Sequence, residues 1–559
     1  MTSGPVTANP VTANPVTANP VTANPVTANP VTANPVTANP VTGNPVTGNP
    51  VTGNPVSGNP VSPITLGGPR LTADALHAIA GGAPVRLEPA ALQAMADNAA
   101  ATPPGPSALE AKRRWLVGEH AQHLPPDELS RAFVLGHCAG VGEPLPAPLV
   151  RAAMAARAQV LAQAASGCRP EAAEILVAML NQGVHPRVPS QGSVGAAGDL
   201  APMAHIAAVA CGFIARPATL PAYQPTPKEA LALINGSSLT AALAAVAVVR
   251  ARRVLDAAVA ACAMTMEAVG ADAGCIDPRP QLARGHRGGA RVAEQLRTWL
   301  TGSVHVHGGR RPDAFSIRCA PAVLGTVAEA LDSVQATVQA ELNGVSDNPL
   351  LFVDEDGQGE WVEAGNFHGA PLALAMDHLR AALAQLATLS ERRTYRLSYG
   401  QLTPGLPSFL VPGTGLNSGF MLAQYTAASL ASELKGLAHP ASVDTIPTVQ
   451  HHEDHNSMGP IAARMTLEAL ECAADVVGIE ALLAAQALDL RARGWHWSEQ
   501  GERLPDAPLA LAPAVEQLRA RVRAVVPFWE DDGLLHPCLV ATGRLVRQGG
   551  LLGDPGRDW

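Results

Sequence analysis

The segment Gln191-Gly192-Ser193-Val194-Gly195-Ala196-Ala197-Gly198-Asp199-Leu200-Ala201-Pro202 decides how the rest of the chain is read. Two alanines and a glycine separate Gly195 from Asp199. Side chains this small let backbone approach backbone, which suits a tight loop at the start of a helix. Its only reactive side chains are those of Ser193 and Asp199.

Several other stretches combine turn residues with polar groups. They are Leu135-Gly136-His137-Cys138-Ala139-Gly140-Val141-Gly142-Glu143-Pro144, Lys228-Glu229-Ala230-Leu231-Ala232-Leu233-Ile234-Asn235-Gly236, Asn343-Gly344-Val345-Ser346-Asp347-Asn348-Pro349, Gly365-Asn366-Phe367-His368-Gly369 and Leu416-Asn417-Ser418-Gly419-Phe420-Met421. Between them run Ala/Leu-rich segments whose apolar residues recur at three and four. That spacing predicts long helices at about 238–268, 321–342, 369–392, 417–437 and 458–489, packed as a parallel and antiparallel bundle. Shorter helices are expected near Ala73, Pro89, 147–166 and 514–525, with Pro170 at the first position of another. A short strand is expected at Val85–Leu87.

Together these motifs resemble the aromatic amino acid ammonia-lyases, the histidine and phenylalanine ammonia-lyase family. The resemblance covers about residues 64–559 and implies a mainly α-helical, fumarase/aspartase-like fold. It divides the chain into a repeat tail (1–63), an N-terminal lobe holding the loop (64–230), a central long-helix bundle (231–490) and a C-terminal helical segment (491–559). It also implies a homotetramer whose pockets draw on several chains. In the family an Ala-Ser-Gly triplet cyclises and dehydrates into the electrophile methylidene-imidazolone. Here the positions are Ala196, Ala197 and Gly198, so the hydroxyl whose loss makes the methylidene is missing. The cofactor is therefore expected not to form.

The family's two tyrosines are missing as well. The first stands in a Tyr-Gly-Val-Asn-Thr-Gly-Phe-Gly loop. The matching region, about Pro103 to Leu124, has no tyrosine and no Asn-Thr-Gly; residues 107–117 read as a basic helical turn or two. The second falls at Phe315, within Pro312-Asp313-Ala314-Phe315-Ser316-Ile317-Arg318-Cys319. A positioned general base contributes about 10²–10⁴ in rate. Without bases and electrophile the standard deamination is not expected.

By the same resemblance, a binding pocket survives. Arg318 matches the arginine that holds a substrate carboxylate, a task suited to a planar guanidinium; an interhelical ion pair is the alternative. Asn235 matches an asparagine beside cofactor and substrate, or caps a helix. His137 matches a residue that selects the substrate ring, or satisfies a backbone carbonyl. Phe367 lies near the cofactor in the family, or simply packs. Glu453 matches the acid of a Gln-Glu-Asp-His motif, or serves subunit contacts. In this chain the motif reads His452-Glu453-Asp454-His455, preceded by His451. On a helix, His451 and His455 would share a face at i, i+4, a spacing compatible with zinc. Since Glu, Asp and His stand in the family motif without metal, no metal site is expected.

Composition bounds the rest. Charged residues make up 15%, aromatics 3%, and the net charge is -9, which gives no sign of a nucleic-acid partner. Eight cysteines without a CxxC pair read as free thiols of a reducing compartment, and no apolar run suffices to span a membrane. A cytoplasmic protein is expected. Residues 6–60 are eleven pentapeptides of the type Val-Thr-Ala-Asn-Pro. Proline every fifth residue, no charge before Arg70 and one valine per unit offer too little apolar surface to offset ordering entropy, so this reads as a disordered tail.

The expected function is a histidine ammonia-lyase-like protein that binds an amino-acid-like or carboxylate ligand without the standard reaction. The alternatives are a non-catalytic subunit that forms a hetero-oligomer with an active paralogue, a peptide-acting domain with its own repeats as substrate, and a lyase working by a non-standard route.

Overall fold

The computed structural model describes residues 62–104, 124–309, 313–413, 415–498 and 502–553. The repeat tail and the 107–117 segment lie outside the described residues. Pro60–Trp559 forms one compact unit.

The architecture is carried by helices, with four two-stranded sheets among the described residues. Three long helices form the core: Ser238–Val269, Ala370–Ser398 and Gly459–Ala492. The first and third are buried around almost their whole circumference. A helix that is apolar all round belongs inside a large protein, and alanine both favours the helix and permits close approach. Ala320–Glu341 and Met421–Leu437 pack against this core. Small residues again set the distance: a Cβ on Gly478 would lie 2.7 Å from the Gly543 nitrogen of the neighbouring His536–Arg547 helix.

A charged pair ties this apolar stack together. Glu480 accepts two bonds from Arg393, the Nη2 one at 2.7 Å, and both side chains are fully buried. Ser390 Oγ (2.6 Å) and Thr265 Oγ1 (2.9 Å) donate to the same carboxylate. All three core helices therefore meet at Glu480.

Most helix positions agree with the spacing in the sequence. Thr72 caps Ala73–Ala80, and its side chain accepts from the Ala75 nitrogen. Val85–Leu87 pairs in parallel with Ile64–Leu66. Pro170 is the cap of Glu171–Asn181 rather than its first residue. The 147–166 helix ends earlier, at Leu161, because Ala164 and Gly167 take positive φ. Ala370–Ser398 runs past residue 392. No described helix is long and apolar enough to cross a membrane.

Candidate functional site

The loop owes its position to a short antiparallel pair, Val141–Pro144 with Pro189–Gln191. This pair lays the His137-containing motif beside the loop. The two chains touch where a Cβ on Gly192 would lie 2.7 Å from the Gly140 Cα.

Beyond Gly192 the loop is tied down from two sides. Met458 N donates to Val194 O (2.9 Å) and Ser457 Oγ to Gly195 O (3.1 Å). Gly236 N donates to Ala197 O (3.0 Å), and Asp199 N donates to Gly236 O (2.8 Å). Gly198 and Gly236 face each other with φ of +85° and +88°. A Cβ on Gly198 would fall 2.2 Å from the Gly236 carbonyl carbon, and one on Gly236 1.7 Å from Ser346 O. Both positions need glycine for conformation and for space.

Asp199 is fully buried and accepts from Thr240 N and Oγ1, both at 2.8 Å. Burial pushes its carboxyl up to about 6, against the opposing effect of the Thr240 bonds. Behind the loop, Lys228 pairs with Asp347 at 2.7 Å, and Asn235 Nδ2 donates to Asp347 Oδ1 (3.1 Å) and Asn348 O (2.8 Å). Burial raises the Asp347 carboxyl, but Lys228 and Arg157 more than offset this and hold it below the ordinary value.

Four helices begin at this place: Leu200–Ala210, Ser238–Val269, Ala370–Ser398 and Gly459–Ala492. A Cβ on Gly369, which precedes the third, would lie 3.3 Å from Ser457 Oγ and 3.8 Å from Ser237 Cβ. Their N-terminal N–H groups and dipoles give the loop a positive surrounding.

Above the loop lies a cavity of about 500 Å³ with Ala196 and Ala197 in its wall. His137, Asn235, Phe367 and Glu453 line it too, so the structure brings four of the sequence-selected residues together. His137 Nδ1 is 2.7 Å from Phe133 O. Glu453 accepts from Thr448 Oγ1 at 2.7 Å. Asn235 lines the cavity, but its amide is bonded to the scaffold, with Oδ1 accepting from Gly236 N. Among the described residues, no lysine or arginine lines the cavity.

Arg318 is elsewhere. It is exposed and borders a separate cavity of about 360 Å³ with Asp272, Cys275 and Asp313, while Phe315 is 72% exposed. The separation follows from the helix between them. Ala320–Glu341 begins next to Arg318 and ends where Glu341 accepts from Ser237. Its 22 residues span about 33 Å at 1.5 Å each. One chain therefore does not unite Arg318 with the loop.

The histidine reading also needs correction. Val449–His451 is a single 3₁₀ turn with Gln450 at φ +52°, not part of a longer helix, so the i, i+4 argument does not apply. His452 and His455 line the cavity and His451 does not. No group of three or more His, Cys, Asp or Glu set to hold a metal ion occurs among the described residues. Sequence reasoning missed Glu363 and His368 in the wall. His368 stands in the Gly365–Gly369 motif and could have been found there. Glu363 follows the Gly359–Val362 strand and carries no such signal.

Residues 116–524 match the family model described as aromatic amino acid lyase. The chain belongs to that family. It is 41% identical over 515 residues to a protein of Gloeobacter violaceus named histidine ammonia-lyase, covering 86% of this chain and 98% of that one. A protein of the same name from Anaeromyxobacter sp. (strain K) is 43% identical over 452 residues, covering 76% and 85%. The solved histidine ammonia-lyase from Trypanosoma cruzi superimposes with a TM-score of 0.76 at 34% identity, covering 88% of this chain and 94% of the other. Tyrosine aminomutase from Streptomyces globisporus gives 0.77 at 28%, covering 89% and 99%. The fold expected from the motifs is thus the fold found. The side chain at position 197 is a buried methyl with no oxygen to expel. The residues present do not fit the methylidene form of the family's electrophile.

Proposed function

We propose that this family member binds an amino-acid-like or carboxylate ligand in the cavity above residues 196–198 and does not deaminate it by the methylidene-imidazolone route. The observation that carries this reading is Ala197 in the cavity wall, where a methyl offers no carbon acceptor for an amine. Binding is supported by the retained wall of His137, Phe367 and Glu453 and by the four helix N-termini, each worth about 0.3–1 kcal/mol to a nearby anion.

Arg318 and Phe315 enter the proposal through assembly. Both are exposed at the far end of the 320–341 helix, where a neighbouring copy in a homotetramer could receive them. The eight free cysteines fit a reducing, cytoplasmic setting.

The test incubates purified protein with histidine, phenylalanine and tyrosine, following ammonia, ultraviolet absorbance and thermal stability. The expected result is no ammonia and no methylidene-type absorbance, with a rise in melting temperature for a bound amino acid. Ammonia release at ordinary lyase rates overturns the proposal. Native mass spectrometry reads the assembly; a strictly monomeric chain removes the role given to Arg318.

A further inference from the structure

We propose that the loop from Thr448 to Glu453 is a strained gate that swings part of the cavity wall in and out. The first observation is its backbone. Val449, Gln450 and His451 take φ of +45°, +52° and +66°, the longest run of left-handed non-glycine residues among the described residues. For an L-residue this conformation presses Cβ against the following carbonyl oxygen, so it is normally left to glycine or asparagine, one residue at a time. A β-branched residue such as Val449 is an outlier there. Strain of this kind persists only where the surroundings impose it, and it gathers at ligand clamps and switch regions.

The second observation is what imposes the strain. Thr448 N donates to Glu453 O (2.9 Å), Glu453 N to Thr448 O (3.3 Å) and His452 N to Val449 O (3.0 Å). Thr448 Oγ1 donates to Glu453 Oε2 (2.7 Å). The loop is pinched at its neck by these bonds, and its tip is exposed from Val449 to His452. The third observation is position. His452, Glu453, Asp454 and His455 follow the strained turn, and all four line the cavity. Directly beyond them the chain is fixed. Asn456, Ser457 and Met458 are buried; Asn456 Nδ2 donates to Ile446 O (2.6 Å), and Ser457 and Met458 bond the loop at residues 194–195.

These features define two states. In the closed state of this structure the neck bonds hold His452 and Glu453 in the wall while three residues stay left-handed. Breaking the neck lets Val449, Gln450 and His451 return to ordinary backbone regions. Release of strain offsets loss of the neck bonds, so the open state is more populated than it is for an unstrained turn. Asn456, the first buried residue past the wall, is the hinge. Opening withdraws four side chains from the cavity, and a ligand that touches Glu453 or His452 favours closure by binding that state alone. The purpose of the gate rests on the cavity being a ligand site, but its opening belongs to the free protein.

Hydrogen exchange of the full chain without ligand, read on residues 446–456, tests the gate. The Thr448 and Glu453 amides, both bonded in the closed state, are expected to exchange far faster than the core amides of Gly459–Ala492. Val449→Asn suits the left-handed region and replaces a side chain that is 40% exposed, so it should slow their exchange about 5-fold. Thr448→Val removes the hydroxyl bond to Glu453 and should speed exchange about 10-fold. Exchange as slow as in the core, a Val449→Asn protein no slower than the parent, or a Thr448→Val protein no faster than it overturns the gate. Failure of amino acids to bind counts against the proposed function and leaves the exchange rates to decide the gate.

Discussion

Replacing Glu480 with alanine tests whether the core is held as described. The substitution strands the Arg393 guanidinium, which is fully buried and spends two bonds on that carboxylate. Removing one partner of a buried ion pair costs about 3–5 kcal/mol. Ser390 and Thr265 also lose their acceptor, at about 1 kcal/mol each at most. Against a total stability of about 5–15 kcal/mol, the single variant loses about a fifth or more. Replacing both partners with apolar residues, Glu480→Met with Arg393→Leu, removes the buried charges together. It is expected to return to within about 1 kcal/mol of the parent or exceed it. Chemical denaturation of parent, single and double variants measures both quantities. A Glu480→Ala loss below about 1 kcal/mol, or a double variant as weak as the single one, would refute the claim that a desolvated charge pair joins the three helices.

Three further outcomes are expected. Asp199 carries its proton up to about pH 6 in the folded chain, against an ordinary value of 3.8. Its contribution is therefore fully present below 3.8 and lost as pH rises through about 6, a swing of about 3 kcal/mol. In pH-dependent denaturation, Asp199→Asn should flatten stability across that window, and an unchanged profile rejects the assignment. Gly236→Ala drives a methyl into Ser346 O and should lower soluble yield and melting temperature sharply; a variant melting with the parent contradicts the close approach. Lys228→Met removes the cation bonded to buried Asp347 and leaves only Arg157 to offset its charge, for an expected loss of about 3 kcal/mol. That loss should shrink on acidification as Asp347 takes up a proton, and a pH-independent deficit speaks for lost packing instead.

The elements that were legible in the sequence are those fixed by local physics. Ala/Leu recurrence located the long helices, and Gly195 with Gly198 marked a loop that only small residues can build. What stayed hidden depends on distance through space. Nothing in Pro312–Cys319 tells how far a 22-residue helix carries Arg318 from the loop. Adjacent histidines invited a helical reading because spacing alone does not show that Gln450 breaks the turn. Asn235 was read as a residue beside the substrate and does line the cavity, yet the commitment of its amide to Asp347 and Gly236 needs coordinates. Glu363 enters the wall only because a hairpin places it there.

The requirements that shape the loop are separable from the chemistry its relatives draw from it. Gly198 must clear Gly236, Asp199 must reach Thr240, and Ser457 must bond Gly195. None of these contacts involves the side chain at 197. Exchanging a serine hydroxyl for hydrogen at that buried position removes a polar group and leaves the packing intact, so folding exerts no pressure to keep the oxygen. A chain can thus retain the whole architecture, and a close match to named lyases, after one atom has gone. For this reason overall similarity fixes the fold here, while the reaction must be argued from position 197 and from the bases that should flank it.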